Sequence, residues 1–138
     1  MDIAEAQPNT AAKGADKVLV TLQEEEVLLH RNAFLNALNS YPQFGTGGSS
    51  DVTKREVAAF FAHVTQETGS FCYIEEIAKS TYCKPSEAWP CNPSKQYYGR
   101  GPLQLTWNYN YGAVGRSIGF DGINAPETVA NNPVTAFN

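Results

Sequence analysis

Apolar residues recur at helical spacing in two parts of the chain. The first set predicts a helix that follows the capping-box sequence of residues 21–24 and ends before Pro42. Its apolar positions are Val27, Leu28, Phe34, Leu35 and Leu38. The second set predicts a helix that begins at the capping box of residues 53–56 and runs to about Glu67, where Gly69 ends it. Its apolar positions are Val57, Phe60, Phe61 and Val64.

The second half of the chain has a less regular pattern. Residues 85–102 are dense in Pro, Gly, Asn and aromatic residues, which predicts ordered loop with short extended pieces. Period-two alternation over residues 103–107 predicts a short strand. A helix over residues 109–118, a turn at Asp121-Gly122 and a further helix from residue 126 to residue 138 complete the expected elements.

Size and charge narrow the class of protein. A chain of 138 residues with 42% apolar content buries enough surface for one compact domain. The net charge is −4, and the basic residues form no patch able to neutralise several phosphates, which argues against a nucleic-acid partner. No apolar stretch has the length of a membrane helix, and the acidic start of the chain lacks the form of an export signal. Residues 1–20 are predicted to be a weakly ordered tail.

The three cysteines are Cys72, Cys83 and Cys91. Cys83 and Cys91 bracket a short loop rich in turn-forming residues, which predicts a disulfide between them. Three interpretations stay open for Cys72: a free buried thiol, an intermolecular bond, or a partner outside this sequence. Spacings of eleven and eight residues without a nearby histidine do not resemble a zinc site, so no metal is expected.

Glu67 and Glu76 lie on either side of a turn broken by Gly69. Cleavage of a glycosidic bond needs one carboxyl group that keeps its proton and one that is ionised. Glu67 follows an apolar helix face, and partial desolvation there favours the protonated form, whereas Glu76 lies in a more polar run. His63 shares a helix face with Glu67, and a hydrogen bond between them can orient the acid. The alternative is two solvated surface glutamates and a structural histidine.

Residues 97–111 form a second candidate site, because aromatic side chains alternate there with amides and hydroxyls around Gly99 and Gly101. Sugar rings have apolar faces and polar edges, so aromatic platforms beside Gln and Asn side chains suit an oligosaccharide. The alternative is that the aromatic residues belong to a core and that the glycines permit a tight turn.

Several motifs resemble those of the plant chitinases of glycoside hydrolase family 19, class IV type. They are His-Val-Thr-Gln-Glu-Thr-Gly at residues 63–69, Cys-Tyr-Ile-Glu-Glu at 72–76, Tyr-Cys at 82–83, Trp-Pro-Cys at 89–91 and the segment at 98–112. The resemblance extends from about Arg31 to Asn138. It implies a mainly helical, lysozyme-like domain of two lobes with the substrate groove between them, and neither a metal nor an organic cofactor.

The resemblance also implies a role for particular residues. Glu67 corresponds to the general acid and Glu76 to the general base of an inverting hydrolysis of beta-1,4-linked N-acetylglucosamine polymers, and Thr106 to the hydroxyl that holds the attacking water. The remaining substrate-binding candidates are His63, Tyr82, Trp89, Gln104, Tyr109 and Asn110. The expected partner is chitin or a chitooligosaccharide, bound by a monomer that is extracellular or vacuolar.

The chain departs from the family pattern at both ends. Residues 1–29 are expected to be a non-family segment, and the early cysteine that pairs with the one at position 72 in relatives is absent from them. Residues 30–138 are expected to be a partial catalytic domain, since family domains continue well beyond the equivalent of Asn138. The expectation is therefore a weak or inactive chitinase; the alternatives are a non-catalytic chitooligosaccharide-binding protein and an inactive partial gene product.

Overall fold

The computed structural model describes residues 31–138, and this part of the chain is mainly helical. Its elements are α1 at Arg31–Ala37, a 3-10 turn at Leu38–Ser40, α2 at Ser50–Glu67, α3 at Asn108–Ile118, α4 at Thr128–Asn131 and α5 at Pro133–Phe137. No strand forms in the described residues, where extended pairing is limited to two isolated antiparallel bridges. The expected mainly helical class is confirmed. The predictions for residues 1–29, including a helix start at residues 21–24, lie outside the described residues.

Helix α2 ends where the sequence predicts and begins earlier. The hydroxyl of Ser49 caps it by accepting a backbone N–H of the first turn, so the start predicted at Thr53 is wrong. Thr53 is buried inside the helix, with 3% of its surface exposed. Glu56 accepts the backbone N–H of Gly45 at 2.9 Å and is not part of a capping box. The end at Glu67 is confirmed.

An aromatic core fixes α2 against α1 and α5. The ring of Phe34 on α1 lies 5.0 Å from that of Phe61 and 5.6 Å from that of Phe60, measured between ring centroids. Phe137 on α5 approaches Phe34 from another side at 5.5 Å. Apolar contact on this scale is what holds short helices together, because their own backbone hydrogen bonds are marginal in water. The C-terminal end of α2 is therefore attached to a rigid body.

The predicted strand over residues 103–107 is wrong. Gly101, Gln104 and Trp107 have left-handed backbone angles, with φ of 78°, 50° and 77°, and these bend the chain away from an extended path. The backbone N–H of Gln104 donates to the carbonyl of Gly101 at 3.1 Å, which closes a turn. The alternation of apolar and polar residues here corresponds to a series of turns and not to a strand. The helix predicted after it is confirmed as α3.

The helix predicted over residues 126–138 is interrupted. Pro133 has no backbone N–H and disfavours the helical conformation at the residue before it, so Asn132 is extended and separates α4 from α5. The side chain of Asn132 accepts the N–H groups of Val134 and Thr135 at 3.1 and 3.0 Å, which caps α5. The predicted turn at Asp121-Gly122 is confirmed.

The cysteines settle two of the sequence expectations. Cys83 and Cys91 form the predicted disulfide, with their Cα atoms 6.1 Å apart. Cys72 is a free, exposed thiol, so the interpretation as a buried thiol is wrong. Among residues 31–138, no helix has the length and apolar character needed to cross a membrane.

Candidate active site

Glu67 is the last residue of α2, and its side chain is exposed to solvent. The buried face of the helix carries Val57, Phe61 and Val64, and Glu67 lies beside that face. The partial desolvation expected from the sequence is therefore absent. His63 is also exposed, and within the described part of the chain no hydrogen bond joins it to Glu67. The expected orientation of the acid by His63 is thus wrong for this structure.

The turn that follows Glu67 is tightly held. Thr68 is completely buried; its hydroxyl donates to the carbonyl of Val64 at 2.6 Å and accepts the N–H of Phe71 at 2.8 Å. Gly69, Ser70 and Phe71 all have left-handed backbone angles, with φ of 57°, 63° and 70°. Left-handed conformations are costly outside glycine and persist where surrounding contacts impose them. Glu67 consequently projects from a helix end whose exit is fixed.

Glu76 is held on both carboxylate oxygens. The hydroxyl of Tyr82 donates to Oε1 at 2.8 Å, and the backbone N–H of Gly99 donates to Oε2 at 3.0 Å. The backbone N–H of Glu76 in turn donates to the carbonyl of Gly99 at 2.8 Å. The hydrogen bond to Glu76 raises the pKa of the Tyr82 hydroxyl, which stays a donor at neutral pH. An ionised carboxylate only accepts hydrogen bonds, so two donors match it.

Two predicted site residues meet Glu76 around Gly99. A Cβ atom at position 99 would lie 2.6 Å from Oε1 of Gln104 and 3.3 Å from Oγ1 of Thr106, so only a glycine leaves room for both. The Thr106 hydroxyl donates to the backbone carbonyl of Gln104 at 2.7 Å. The side-chain amide of Gln104 donates to the carbonyl of Gly101 at 3.0 Å, which fixes its position. Glu76, Gln104 and Thr106 therefore all adjoin Gly99, and we call these three residues the polar cluster.

An exposed aromatic row adjoins this cluster, and we define it as Tyr82, Trp107 and Tyr109. The rings of Tyr82 and Trp107 meet edge to face at 5.3 Å, and those of Trp107 and Tyr109 stack at 6.0 Å. Trp107 and Tyr109 are each 37% exposed. The side chain of Asn110 lies beside them, donating to the carbonyl of Thr106 at 2.8 Å. Trp107 was not among the predicted site residues, although the alternation of aromatics and amides around it was a signal.

Trp89 lies in a different environment. Its indole packs against Gly112 of α3, and the guanidinium of Arg116 lies 4.4 Å above the indole ring. The fully buried side chain of Asn108 donates to the backbone carbonyl of Trp89 at 2.8 Å. These contacts hold the disulfide loop against α3. Within residues 31–138, no hydrogen bond or ring contact joins Trp89 to Glu76.

An ion pair between buried Arg100 and partly exposed Glu75 lies beside the polar cluster. Arg100 is 4% exposed, and its Nε donates to Oε1 of Glu75 at 3.3 Å. Lys79 donates to the other oxygen of Glu75 at 2.7 Å. Partial burial acts to raise the pKa of Glu75, but hydrogen bonds from Lys79 and Tyr98 outweigh it and hold that pKa below its usual value. No role for Glu75 or Arg100 follows from the sequence, because nothing local indicates their pairing.

Two hollows of the described residues lie away from the candidate carboxylates. One hollow of about 730 Å³ is mainly apolar and is lined by residues that include Phe34, Phe44 and Phe137. Another hollow, of about 390 Å³, is polar and is lined by residues that include Lys95 and Glu127. Glu67 and Glu76 line neither of them.

Comparison with known proteins adds to this geometry. The family model described as class I chitinase, of glycoside hydrolase family 19, matches residues 23–138. The chain belongs to this family. Endochitinase EP3 of Arabidopsis thaliana is 64% identical over 110 residues, which are 78% of this chain and 40% of that protein. The family resemblance inferred from the motifs is confirmed.

Solved structures of family 19 chitinases share the fold. A class IV chitinase of Zea mays matches with a TM-score of 0.76 and 50% identity over 89% of this chain and 63% of that one. Chitinase C of Streptomyces griseus matches with a TM-score of 0.82 and 33% identity over 96% of this chain and 65% of that one. The lysozyme-like helical class is thus confirmed for the part that this chain spans, which is 40% of the length of the Arabidopsis relative.

Proposed function

We propose that this chain carries the acid and the base of an inverting chitinase, which hydrolyses beta-1,4-linked N-acetylglucosamine polymers. The observation that carries the proposal is the carboxylate of Glu76, which accepts hydrogen bonds from the Gly99 N–H and the Tyr82 hydroxyl, while the side chain of Thr106 lies close to Gly99. Membership of the class I chitinase family supports the choice of substrate. Glu76 acts as the general base, and Glu67 acts as the general acid.

The hydrogen bonds of Thr106 define how it assists the base. Its hydroxyl proton is donated to the Gln104 carbonyl, so its oxygen is left to accept a hydrogen bond from water. Glu76 is also an acceptor. A water molecule between the two gives one proton to each of these groups, which directs its lone pair outward toward the anomeric carbon. Glu76 then takes up the proton as the carbon–oxygen bond forms.

Glu67 protonates the leaving oxygen on the opposite side of the sugar. An inverting reaction needs room for a water molecule between base and substrate, and in inverting glycosidases generally the two carboxyl groups are about 6.5 to 9.5 Å apart. Glu67 and Glu76 are separated by the fixed turn that follows α2 and make no hydrogen bond with each other in the described residues. A bound sugar covers Glu67 and excludes water from it, which favours the neutral acid.

The aromatic row provides the platform for the substrate. The apolar faces of the sugar rings lie on Trp107 and Tyr109, whereas the amides of Gln104 and Asn110 face the acetamido and hydroxyl groups. The proposal requires neither a metal nor an organic cofactor. In keeping with the family, we propose that the chain acts as a monomer on chitin or chitooligosaccharides, outside the cell or in the vacuole.

Hydrolysis of the N-acetylglucosamine hexamer by the 138-residue chain tests the proposal. Glu67→Gln and Glu76→Gln each remove a proton-transferring group and keep the side-chain shape, so each is expected to lower kcat by about a hundredfold or more. Glu87→Gln is the matched control, because Glu87 is exposed in the disulfide loop; its kcat is expected to stay within about twofold of the parent. An inactive parent chain, or undiminished turnover in either site variant, would refute the proposal.

A further inference from the structure

Arg100 joins the two backbone segments that carry the base and the water-holding hydroxyl. It forms antiparallel bridges with Glu75 on one side and with Leu105 on the other. Its N–H donates to the carbonyl of Leu105 at 3.2 Å, and the N–H of Leu105 donates back at 2.9 Å. Glu76 and Thr106 each follow a bridged residue directly. The separation of these two side chains is therefore set across the backbone of Arg100.

The side chain of Arg100 is enclosed by protein. Its Nε donates to Glu75 at 3.3 Å, and its Nη1 donates to the hydroxyl of Tyr111 and to the carbonyl of Gln96, both at 3.0 Å. The guanidinium carbon lies 3.7 Å from the centre of the Tyr98 ring. With 4% of its surface exposed, at the edge of the polar hollow lined by Lys95 and Glu127, Arg100 offers little surface to a sugar. Its role is to hold other residues and not to bind substrate.

Glu75 connects this buried group to the base. Its carboxylate accepts hydrogen bonds from Arg100, from the Tyr98 hydroxyl at 3.2 Å and from Lys79 at 2.7 Å. Successive side chains of an extended segment point to opposite sides. Anchoring Glu75 toward Arg100 consequently turns Glu76 the other way, toward the donors that hold it.

We propose that Arg100 is a positioning residue for the general base. Through its two backbone bridges and its ion pair with Glu75, Arg100 fixes Glu76 relative to Thr106. The effect of Arg100 on catalysis rests on the proposed function, in which Glu76 is the general base. Arginine suits the position better than lysine does, because a planar guanidinium stacks on Tyr98 while donating in several fixed directions. A lysine at position 100 keeps the charge and loses that geometry.

The test compares Arg100→Lys with Arg55→Lys, a matched control at an exposed position of α2. Hydrogen exchange of the Gly99 amide, which donates to Glu76, reports on the position of the base without any turnover. The amide of Val64 in the core of α2 reports on general stability. Arg100→Lys is expected to accelerate exchange at Gly99 by about tenfold or more while Val64 is unchanged, and to lower kcat by about a hundredfold with little change in KM. Arg55→Lys is expected to behave as the parent does.

Each outcome decides the role of Arg100. Unchanged exchange at Gly99 would overturn the inference, and so would equal acceleration at Gly99 and Val64, because that result indicates a general loss of stability. Should Arg100→Lys not fold, Glu75→Gln decides, since it removes one charged acceptor and leaves the rings in place; selective acceleration at Gly99 is again expected. If the parent chain has no turnover, the proposed function fails, while the exchange data still establish or overturn the positioning role.

Discussion

Replacing Tyr82 by phenylalanine isolates one of the two hydrogen bonds that hold the base. The change removes the hydroxyl that donates to Oε1 of Glu76 at 2.8 Å and keeps the ring that meets Trp107 at 5.3 Å. Hydrogen bonds to charged groups are stronger than those between neutral groups. The loss is expected to be moderate because Tyr82 is partly exposed and water can take over part of the role. Since the Gly99 N–H remains in place, kcat/KM is expected to fall about tenfold.

The assay is the steady-state hydrolysis of the N-acetylglucosamine hexamer, with Tyr41→Phe as the control. The hydroxyl of Tyr41 donates to the backbone carbonyl of Asn138 at 3.0 Å and does not contact the candidate site. Its removal is expected to leave kcat/KM within about twofold of the parent. Parental activity in Tyr82→Phe would refute the claim that this hydroxyl positions Glu76. A similar loss in both variants would assign the effect to general stability.

Three further changes test separate parts of the structure. Gly99→Ala places a Cβ atom 2.6 Å from the side-chain oxygen of Gln104. We therefore expect kcat to fall about tenfold or more, while the midpoint of urea denaturation changes little. A kcat equal to that of the parent would contradict the close packing at Gly99. Thr68→Val removes two buried hydrogen bonds and should lower the free energy of unfolding by about 2 kcal/mol in urea denaturation, and an unchanged value would count against the fixed turn. Glu75 has a lowered pKa in the fold, so its stabilisation is present above its usual value of 4.5 and is lost as the pH falls through the folded value. Glu75→Gln should therefore flatten the decline of Tm between neutral pH and pH values below 4.5, and an unchanged slope would refute this assignment.

The sequence was sufficient to predict features of the fold whose determining contacts are close together in the chain. The end of α2 follows from Gly69, whose φ of 57° suits a residue without a side chain. The disulfide of Cys83 and Cys91 follows from the short loop between them. The start of α2 could not be decided in this way, because Ser49 and Thr53 are both acceptable caps. Packing of Thr53 into the core selects Ser49, and that burial depends on residues distant in the sequence.

Some features of the candidate site could also be predicted from the sequence, and others could not. The spacing of Glu67 and Glu76 suggested a pair of carboxylates, and the family motifs indicated Thr106. The donors that hold Glu76 come from Tyr82 and Gly99, six and 23 residues further along the chain, and no periodic pattern indicates such contacts. The exposure of Glu67 agrees with the stated alternative of a solvated glutamate. The sequence could not decide between the two, because an apolar helix face shows which residues are buried and does not show which neighbours remain in water.

The anomeric form of the first product decides whether Glu67 and Glu76 act as an inverting pair. Proton NMR within minutes of mixing the chain with the N-acetylglucosamine hexamer resolves the two anomers before they equilibrate. An acid at Glu67 and a base at Glu76 that activates water from the opposite face of the ring must release the alpha anomer from a beta linkage. Initial release of the beta anomer, or of no product at all, would contradict the account.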